Sequence, residues 1–122
     1  MNAFTDFEVA ILERIAMDNS AYREQVTELV RTGQVTEREW TGAGGYITLG
    51  SSTILFEPEN LELDADAVIE IPGLRHGLGA LLFVRNGRAD FLEFFTYDDE
   101  WWGDSCGFHI TSAKVTREGN AT

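Results

Sequence analysis

The sequence predicts an α+β fold, in which an N-terminal helical hairpin packs on a curved, mostly antiparallel sheet of about five or six strands. Two observations carry this prediction. Apolar residues recur at helical spacing up to Gly33, whereas from Val35 onward they form short runs separated by glycine-rich turns. With 122 residues, the chain has the length of one domain and can build a real core. We therefore expect a single domain, with a helical hairpin over residues 1–33, a sheet over 34–113 and a frayed tail over 114–122.

The first helix has a clear start signal. Thr5 and Glu8 have the spacing of a capping box. The apolar stripe that follows consists of Phe7, Ile11 and Ile15. The polar run 18–20 ends this helix and can begin a second one. The buried face of the second helix is predicted at Tyr22, Val26, Leu29 and Val30.

Short apolar runs after the helices predict the strands. We expect strands at residues 35–40, 46–49, 53–56, 68–71 and 108–111, and an acidic edge strand or loop at 59–66. The glycine-rich segment 41–45 has strand-like residues on both sides. Because it lacks the lysine that ends a phosphate-binding loop, we interpret it as a hairpin turn.

The centre of the sheet is predicted to be a hairpin around Asn86-Gly87, the strongest short-range hairpin signal. A two-residue turn there would pair Val84 with Ala89, Leu82 with Phe91, Ala80 with Glu93, Phe83 with Asp90 and Leu81 with Leu92. Both faces are then largely apolar, whereas a half-exposed ribbon alternates apolar and polar residues. The helices can cover one face. The second face requires closure of the sheet into a partial barrel, a covering loop or a second subunit.

The charge of the chain is strongly negative and unevenly distributed. Its 21 Asp and Glu and nine Lys and Arg residues give a formal net charge of −12. Residues 57–70 and residues 90–104 each contain six carboxylates and no Lys or Arg. Such a surface repels phosphate groups, so we expect binding neither to nucleic acid nor to an anionic membrane. It would attract a basic protein partner, although solubility alone also explains an acidic surface.

Cysteine usage and the N-terminal residues favour a cytoplasmic protein. Cys106 is the single cysteine, so no internal disulfide can form, which fits a reducing compartment. The first residues lack the basic and apolar regions of a secretory signal. No apolar run approaches the ~20 residues of a membrane-spanning helix.

Two groups of residues are candidate sites. Segment 97–102 combines carboxylates, which pair with Arg and Lys, with tryptophans, which are enriched in binding hot spots. The predicted partner-binding site comprises Tyr97, Asp98, Asp99, Glu100, Trp101 and Trp102, although one tryptophan can instead close the core while the other is half-buried. A second candidate, a ligand-binding loop, comprises Arg38, Trp40, Gly42, Gly44 and His76. No spacing typical of a catalytic or zinc site occurs, so we predict no catalytic residues, no metal and no cofactor.

Several segments together resemble a family of small uncharacterised bacterial proteins. The resemblance covers residues 7–102 and rests on the runs 35–44, 71–77, 81–87 and 92–101. These runs contain an arginine-glutamate-x-threonine-glycine segment, a glycine-leucine-x-histidine-glycine turn and a closing tyrosine-to-tryptophan stretch. The chain departs from the family at Gly45-Tyr46, where an aromatic pair is expected, and at Trp102, where proline is expected. The resemblance supports the fold and implies no activity.

These observations favour a non-catalytic acidic module that binds a basic protein partner, for example an immunity-like protein. The alternative is a homodimeric protein that binds a small ligand between the sheet and the turn at 42–45. A third hypothesis, a small hydrolase, would require His76 to meet a carboxylate across the fold. The salt dependence of binding distinguishes the first two hypotheses. Salt screens exposed charges and so weakens binding of a basic partner, whereas it has little effect on binding of an apolar ligand.

Overall fold

The computed structural model describes residues 3–50 and 53–112. Two helices, α1 (Asp6–Asp18) and α2 (Arg23–Thr32), flank a 3₁₀ turn at Ser20–Tyr22 and precede the sheet. The strands are β1 (Gln34–Trp40), β2 (Gly44–Gly50), β3 (Leu61–Asp64), β4 (Ala67–Glu70), β5 (Leu78–Arg85), β6 (Arg88–Thr96) and β7 (His109–Ser112). The predicted α+β fold is confirmed, with seven strands in the described part of the chain instead of five or six. The predicted tail 114–122 lies outside the described residues.

All strands belong to one antiparallel sheet with the order β1-β2-β6-β5-β4-β7, and β3 also pairs with β5. The sheet is not closed, so the partial barrel considered from the sequence is wrong. The predicted central hairpin is confirmed as β5 and β6. Asn86 and Gly87 both have positive φ, as a type I′ turn requires. Neither described helix is long and apolar enough to cross a membrane.

The helical hairpin begins as the sequence predicts. The hydroxyl of Thr5 accepts from the Glu8 N–H at 3.1 Å, and the Glu8 carboxylate accepts from the Thr5 N–H at 2.9 Å. At the other end of α1, the Asn19 side-chain amide donates to the carbonyl oxygens of Ile15 and Asp64, at 2.8 and 2.7 Å. The capping box therefore fixes the start of α1, and Asn19 ties its end to β3.

One face of the sheet packs against the helices and forms the core. The helices contribute fully buried residues to this core, among them Ile11, Leu12, Ile15, Val26 and Leu29. The sheet contributes Ile47, Leu82 and Leu92. Val30 is partly buried and packs against this core, so three of the four residues predicted for the buried face of the second helix are confirmed there. Tyr22 also packs against the core, but it belongs to the 3₁₀ turn that precedes α2.

The register of the central hairpin differs from the prediction because β6 contains a bulge. The pair Val84–Ala89 is confirmed, but the next pair is Phe83–Phe91, which leaves Asp90 as an extra residue. The remaining predicted pairs are wrong by one residue: the structure pairs Leu82 with Leu92, Leu81 with Glu93 and Ala80 with Phe94. A shift of one residue exchanges the two faces of a strand. The bulge therefore places Phe91 on the face opposite the core, where Phe83 also lies.

The strand predicted at 53–56 is wrong, because this apolar run forms a loop. Phe56 is buried, and its N–H donates to the carbonyl oxygen of Gly87 at 2.7 Å. Its ring lies 6.3 Å from that of Tyr22. Phe56 anchors the loop between the hairpin turn and the helices, whereas Leu55 is 63% exposed. A short apolar run with one buried residue does not by itself distinguish a loop from a strand.

Candidate protein-binding face

Five aromatic side chains lie on the sheet face opposite the helices. We term Tyr46, Phe83, Phe91, Phe95 and Tyr97 the aromatic stripe. None of them belongs to the core or to the partly buried residues packed against it. Phe83 stacks on Phe91 with ring centroids 4.4 Å apart, and the ring of Tyr46 meets that of Phe91 edge-on at 5.8 Å. Tyr97 meets Phe95 edge-on at 5.6 Å. Tyr46 and Tyr97 are 38% and 47% exposed, so the stripe is open to solvent at these positions.

Strand pairing places carboxylates on both sides of the aromatic stripe. Across β1, β2, β6, β5 and β3, one row of paired residues consists of Glu39, Tyr46, Glu93, Leu81 and Asp64. The neighbouring row consists of Glu37, Thr48, Phe91, Phe83 and Glu62. Each row therefore begins and ends with a carboxylate. We term these four terminal residues, Glu37, Glu39, Glu62 and Asp64, the carboxylate border.

Successive side chains of a strand point to opposite faces of the sheet, and this explains why the carboxylate border lies on the face opposite the core. In β3, Leu61 and Leu63 pack towards the core, so the intervening Glu62 and the following Asp64 point to the opposite face. A sequence that alternates leucine with a carboxylate thus gives one buried face and one charged face.

Carboxylates set the electrostatics around Tyr46. Glu93 is directly opposite Tyr46 in β6, and its negative charge is the main cause that raises the pKa of the Tyr46 hydroxyl. Desolvation, a side-chain hydrogen bond with Glu93 and the charge of Glu39 also raise this pKa. The site therefore opposes a further negative charge and favours a positive one.

The aromatic stripe already contacts one cation of the chain. Arg85 follows Phe83 by two residues in β5, and its guanidinium carbon lies 5.0 Å from the centroid of the Phe83 ring. This distance is within the range of a cation–π interaction. The rings of this face are thus arranged so that a guanidinium group can lie on them.

The structure separates the two adjacent tryptophans of the predicted partner-binding site. Trp101 is 5% exposed, whereas Trp102 is 59% exposed. The Trp101 ring packs edge-on against Phe7, Trp40 and Phe94, and its Nε1–H donates to the carbonyl oxygen of Asp104 at 2.8 Å. One tryptophan therefore closes the core, which was the alternative considered from the sequence.

Asp99, another residue of the predicted site, is engaged within the fold. Its carboxylate accepts from the Arg75 N–H at 3.0 Å, from the Arg75 Nε–H at 3.1 Å and from the His76 N–H at 3.3 Å. Desolvation acts to raise the pKa of Asp99, but the hydrogen bonds from Arg75 and His76 outweigh it and hold this pKa below its usual value. The hydrolase hypothesis needs a carboxylate to serve the His76 side chain, whereas Asp99 binds the His76 backbone. Asp98 and Glu100 are exposed.

The lowered pKa of Asp99 gives a stability prediction. A depressed carboxyl pKa stabilises the folded state above the unfolded-state value of about 3.9, and this contribution is lost as the pH falls through the folded-state pKa. Asp99→Asn should therefore lower the melting temperature by a few degrees at pH ~7 and change it much less at pH ~2. Asp98→Asn is the control, since Asp98 is exposed with φ of 71° and asparagine tolerates that backbone. If Asp99→Asn lowered the melting temperature as much in acid as at neutral pH, the ionised Asp99 carboxylate would not be the stabilising group.

Two residues of the predicted ligand-binding loop, Arg38 and Trp40, make contacts with other parts of the fold. Arg38 forms an ion pair with Glu8, with Nε 2.7 Å from Oε2. The hydrogen bond and charge of Glu8 raise the pKa of Arg38 despite desolvation. Trp40 lies against Gly45 and Gly103, where an added Cβ would come within 2.2 and 2.6 Å of its ring. These side chains therefore pack into the fold.

Gly42 lies in the β1–β2 connection and Gly44 is the first residue of β2. The hairpin turn predicted at 41–45 is confirmed, but it is shorter than predicted, because Trp40 already pairs with Gly45. Gly44 has a φ of 136°, and a Cβ there would lie 1.9 Å from the Phe94 carbonyl oxygen, so only glycine fits. His76 lines a cavity of about 430 Å³ with residues of the 68–77 segment and Gly107. This cavity is not lined by Arg38, Trp40, Gly42 or Gly44, so the structure does not bring the five predicted residues together in it.

Within residues 3–50 and 53–112, no group of three or more His, Cys, Asp or Glu side chains could hold a metal ion. Comparisons with protein-family models, curated proteins and solved structures give no match. The resemblance to a family of small bacterial proteins therefore stays a prediction.

Proposed function

We propose that the protein is a non-catalytic binding module that engages a basic protein partner through the aromatic stripe and its carboxylate border. The composition of this face carries the proposal, because aromatic rings occupy its centre and carboxylates occupy both sides. Protein interfaces have the same organisation, with aromatic hot spots at the centre and a polar rim. A rim of one charge favours a partner of the opposite charge and accelerates its association.

The open sheet face suits a protein surface better than a small molecule. Small-molecule sites are concave and enclose most of their ligand. A groove of about 580 Å³ lies between α1 and α2, and the cavity of about 430 Å³ lies at the 68–77 segment. Neither is lined by a residue of the aromatic stripe. This difference favours the binding module over the small-ligand alternative.

The charges of the face disfavour self-association through it. A two-fold dimer would bring the carboxylate borders of two copies together, and like charges at close range repel. A basic partner instead neutralises them. From the sequence, a second subunit was one of several possible covers for the apolar second face of the hairpin. The charges of this face favour a different, basic protein over a second copy of the chain.

Selection of peptides from a random display library on the immobilised protein tests the proposal. At low ionic strength we expect enriched peptides that combine Lys or Arg with apolar residues. The double variant Glu39→Gln/Glu93→Gln should bind them about fivefold to tenfold more weakly, since each charge pair contributes up to about 1 kcal/mol. Binding should also weaken as salt rises, because the four residues of the carboxylate border, Glu39 among them, are exposed and salt screens exposed charges.

The matched control is Glu57→Gln/Glu59→Gln, which changes the net charge equally at two exposed positions outside the face. This variant should bind almost as the unmodified protein does. Enriched peptides without basic residues, or an equal loss in both double variants, would exclude a basic partner at this face.

A further inference from the structure

We infer that the partner is recognised through an arginine side chain whose guanidinium lies on the Tyr46 ring, between the carboxylates of Glu39 and Glu93. We term these three residues the arginine site. The inference rests on the proposed function and names the chemical group that the face recognises. The three residues come from adjacent strands, β1, β2 and β6, in one continuous row.

The row places two carboxylates beside one aromatic ring. Side chains paired directly across antiparallel strands have Cβ atoms about 5 Å apart, so a cation over Tyr46 is within reach of both carboxylates. The edge-on contact with Phe91, at an interplanar angle of 65°, orients the Tyr46 ring and leaves the residue 38% exposed. The site thus combines an ordered ring, open access and negative charge on two sides.

Arginine fits this arrangement better than lysine. Its guanidinium is planar and weakly hydrated, stacks on aromatic rings and can donate to two carboxylates at once. A lysine ammonium is a strongly hydrated point charge and gains less from the ring. The chain contains one example on the same stripe, where the Arg85 guanidinium lies over Phe83.

A second copy of this chain is a poor source of the arginine. Of the eight arginines in its sequence, four form ion pairs within the fold, and Arg85 already lies over Phe83. The four ion pairs are Arg14 with Asp18, Arg31 with Glu28, Arg38 with Glu8 and Arg75 with Asp99. The formal net charge of −12 also opposes close approach of two copies. The occupant is therefore an arginine-bearing segment of a different, basic protein.

Two short amphipathic peptides test the inference, one with arginine and one with lysine at the same positions. Because their charge is equal, any difference in dissociation constant measures the preference for guanidinium. By isothermal titration calorimetry at low salt, we expect the arginine peptide to bind about fivefold more tightly. In the Tyr46→Leu variant, which keeps an apolar side chain and removes the aromatic ring, this ratio should fall close to one.

Tyr97→Leu is the matched control, because it makes the same change on the same face outside the arginine site, and it should keep the ratio. Both variants alter exposed side chains, and their unfolding transitions should match that of the unmodified protein. If neither peptide binds, the proposed function fails. If both peptides bind equally well, the proposal of a basic partner is still supported, but the inferred preference for arginine is wrong. A ratio that survives Tyr46→Leu would place the preference elsewhere on the face.

Discussion

Replacing Trp101 with alanine is expected to destabilise the protein by about 3–5 kcal/mol, the usual cost of removing a large buried aromatic side chain. The residue is 5% exposed, and its ring contacts Phe7, Trp40 and Phe94. The substitution also removes the hydrogen bond to the Asp104 carbonyl. Urea unfolding followed by circular dichroism measures the change. With a slope of about 1.5 kcal/mol per molar, the midpoint should fall by about 2–3 M.

Trp102→Ala is the control for this experiment, since it makes the same substitution one position later in the chain. Trp102 is 59% exposed and lies beside Gly42, where an added Cβ would come within 3.0 Å of its Cζ2. Loss of this contact should cost less than about 1 kcal/mol. Similar losses in the two variants would show that Trp101 does not close the core.

The helical hairpin was predictable because its signals are local. The capping box needs only Thr5 and Glu8, and the buried stripe needs only residues within two turns of the helix. The Asn86-Gly87 turn is equally local, since its positive φ angles are a property of these two residues. These elements are therefore found from sequence with their positions nearly correct.

The register of β6 was not predictable in the same way. The bulge at Asp90 buries Ala89 and Leu92 together, three residues apart, against the core, so its cause lies in contacts with other strands and helices. An unbulged hairpin places Phe91 opposite Leu82, on the core side. One inserted residue thus decides which aromatic rings are buried and which form the candidate site.

The candidate site was predicted in part. Tyr97 was identified as a partner-binding residue and belongs to the aromatic stripe, but Tyr46, Phe83, Phe91 and Phe95 were missed. They come from three strands that pair only in the folded sheet. The available signal was the apolar second face of the hairpin, together with the alternation of carboxylates in β1 and β3. The cluster at 97–102 was more conspicuous, yet Trp101 and Asp99 have contacts within the fold.

Stability and binding are therefore expected to depend on different residues. Trp101 packs in the core, whereas Tyr46 and Glu93 lie on the open face. A variant of the first kind should lose binding only through unfolding. A variant of the second kind should lose binding while its unfolding transition is unchanged, and this contrast identifies the face independently of the partner's identity.

Arg38→Met is expected to destabilise the protein by about 2–4 kcal/mol, because it leaves the Glu8 carboxylate without its ionic partner. The Glu8 side chain is 4% exposed and that of Arg38 is 24% exposed. Two hydrogen bonds join them, from the Arg38 Nε and Nη2 at 2.7 and 2.8 Å. Glu8 also accepts from the Thr5 N–H, so the ion pair links β1 to the start of α1. Chemical unfolding of the variant measures the loss.

The double variant Glu8→Gln/Arg38→Met separates loss of packing from the cost of an uncompensated charge. It should be more stable than Arg38→Met alone, because a neutral amide is less costly to bury than an unpaired carboxylate, while the Gln side chain can still accept from Thr5. Arg31→Met provides the exposed comparison, since Arg31 and Glu28 are 70% and 43% exposed, and its effect should stay within about 0.5 kcal/mol. If the double variant were no more stable than Arg38→Met, the loss would come from the packing of the arginine stem. The ion pair would then position α1 without contributing to stability through its charge.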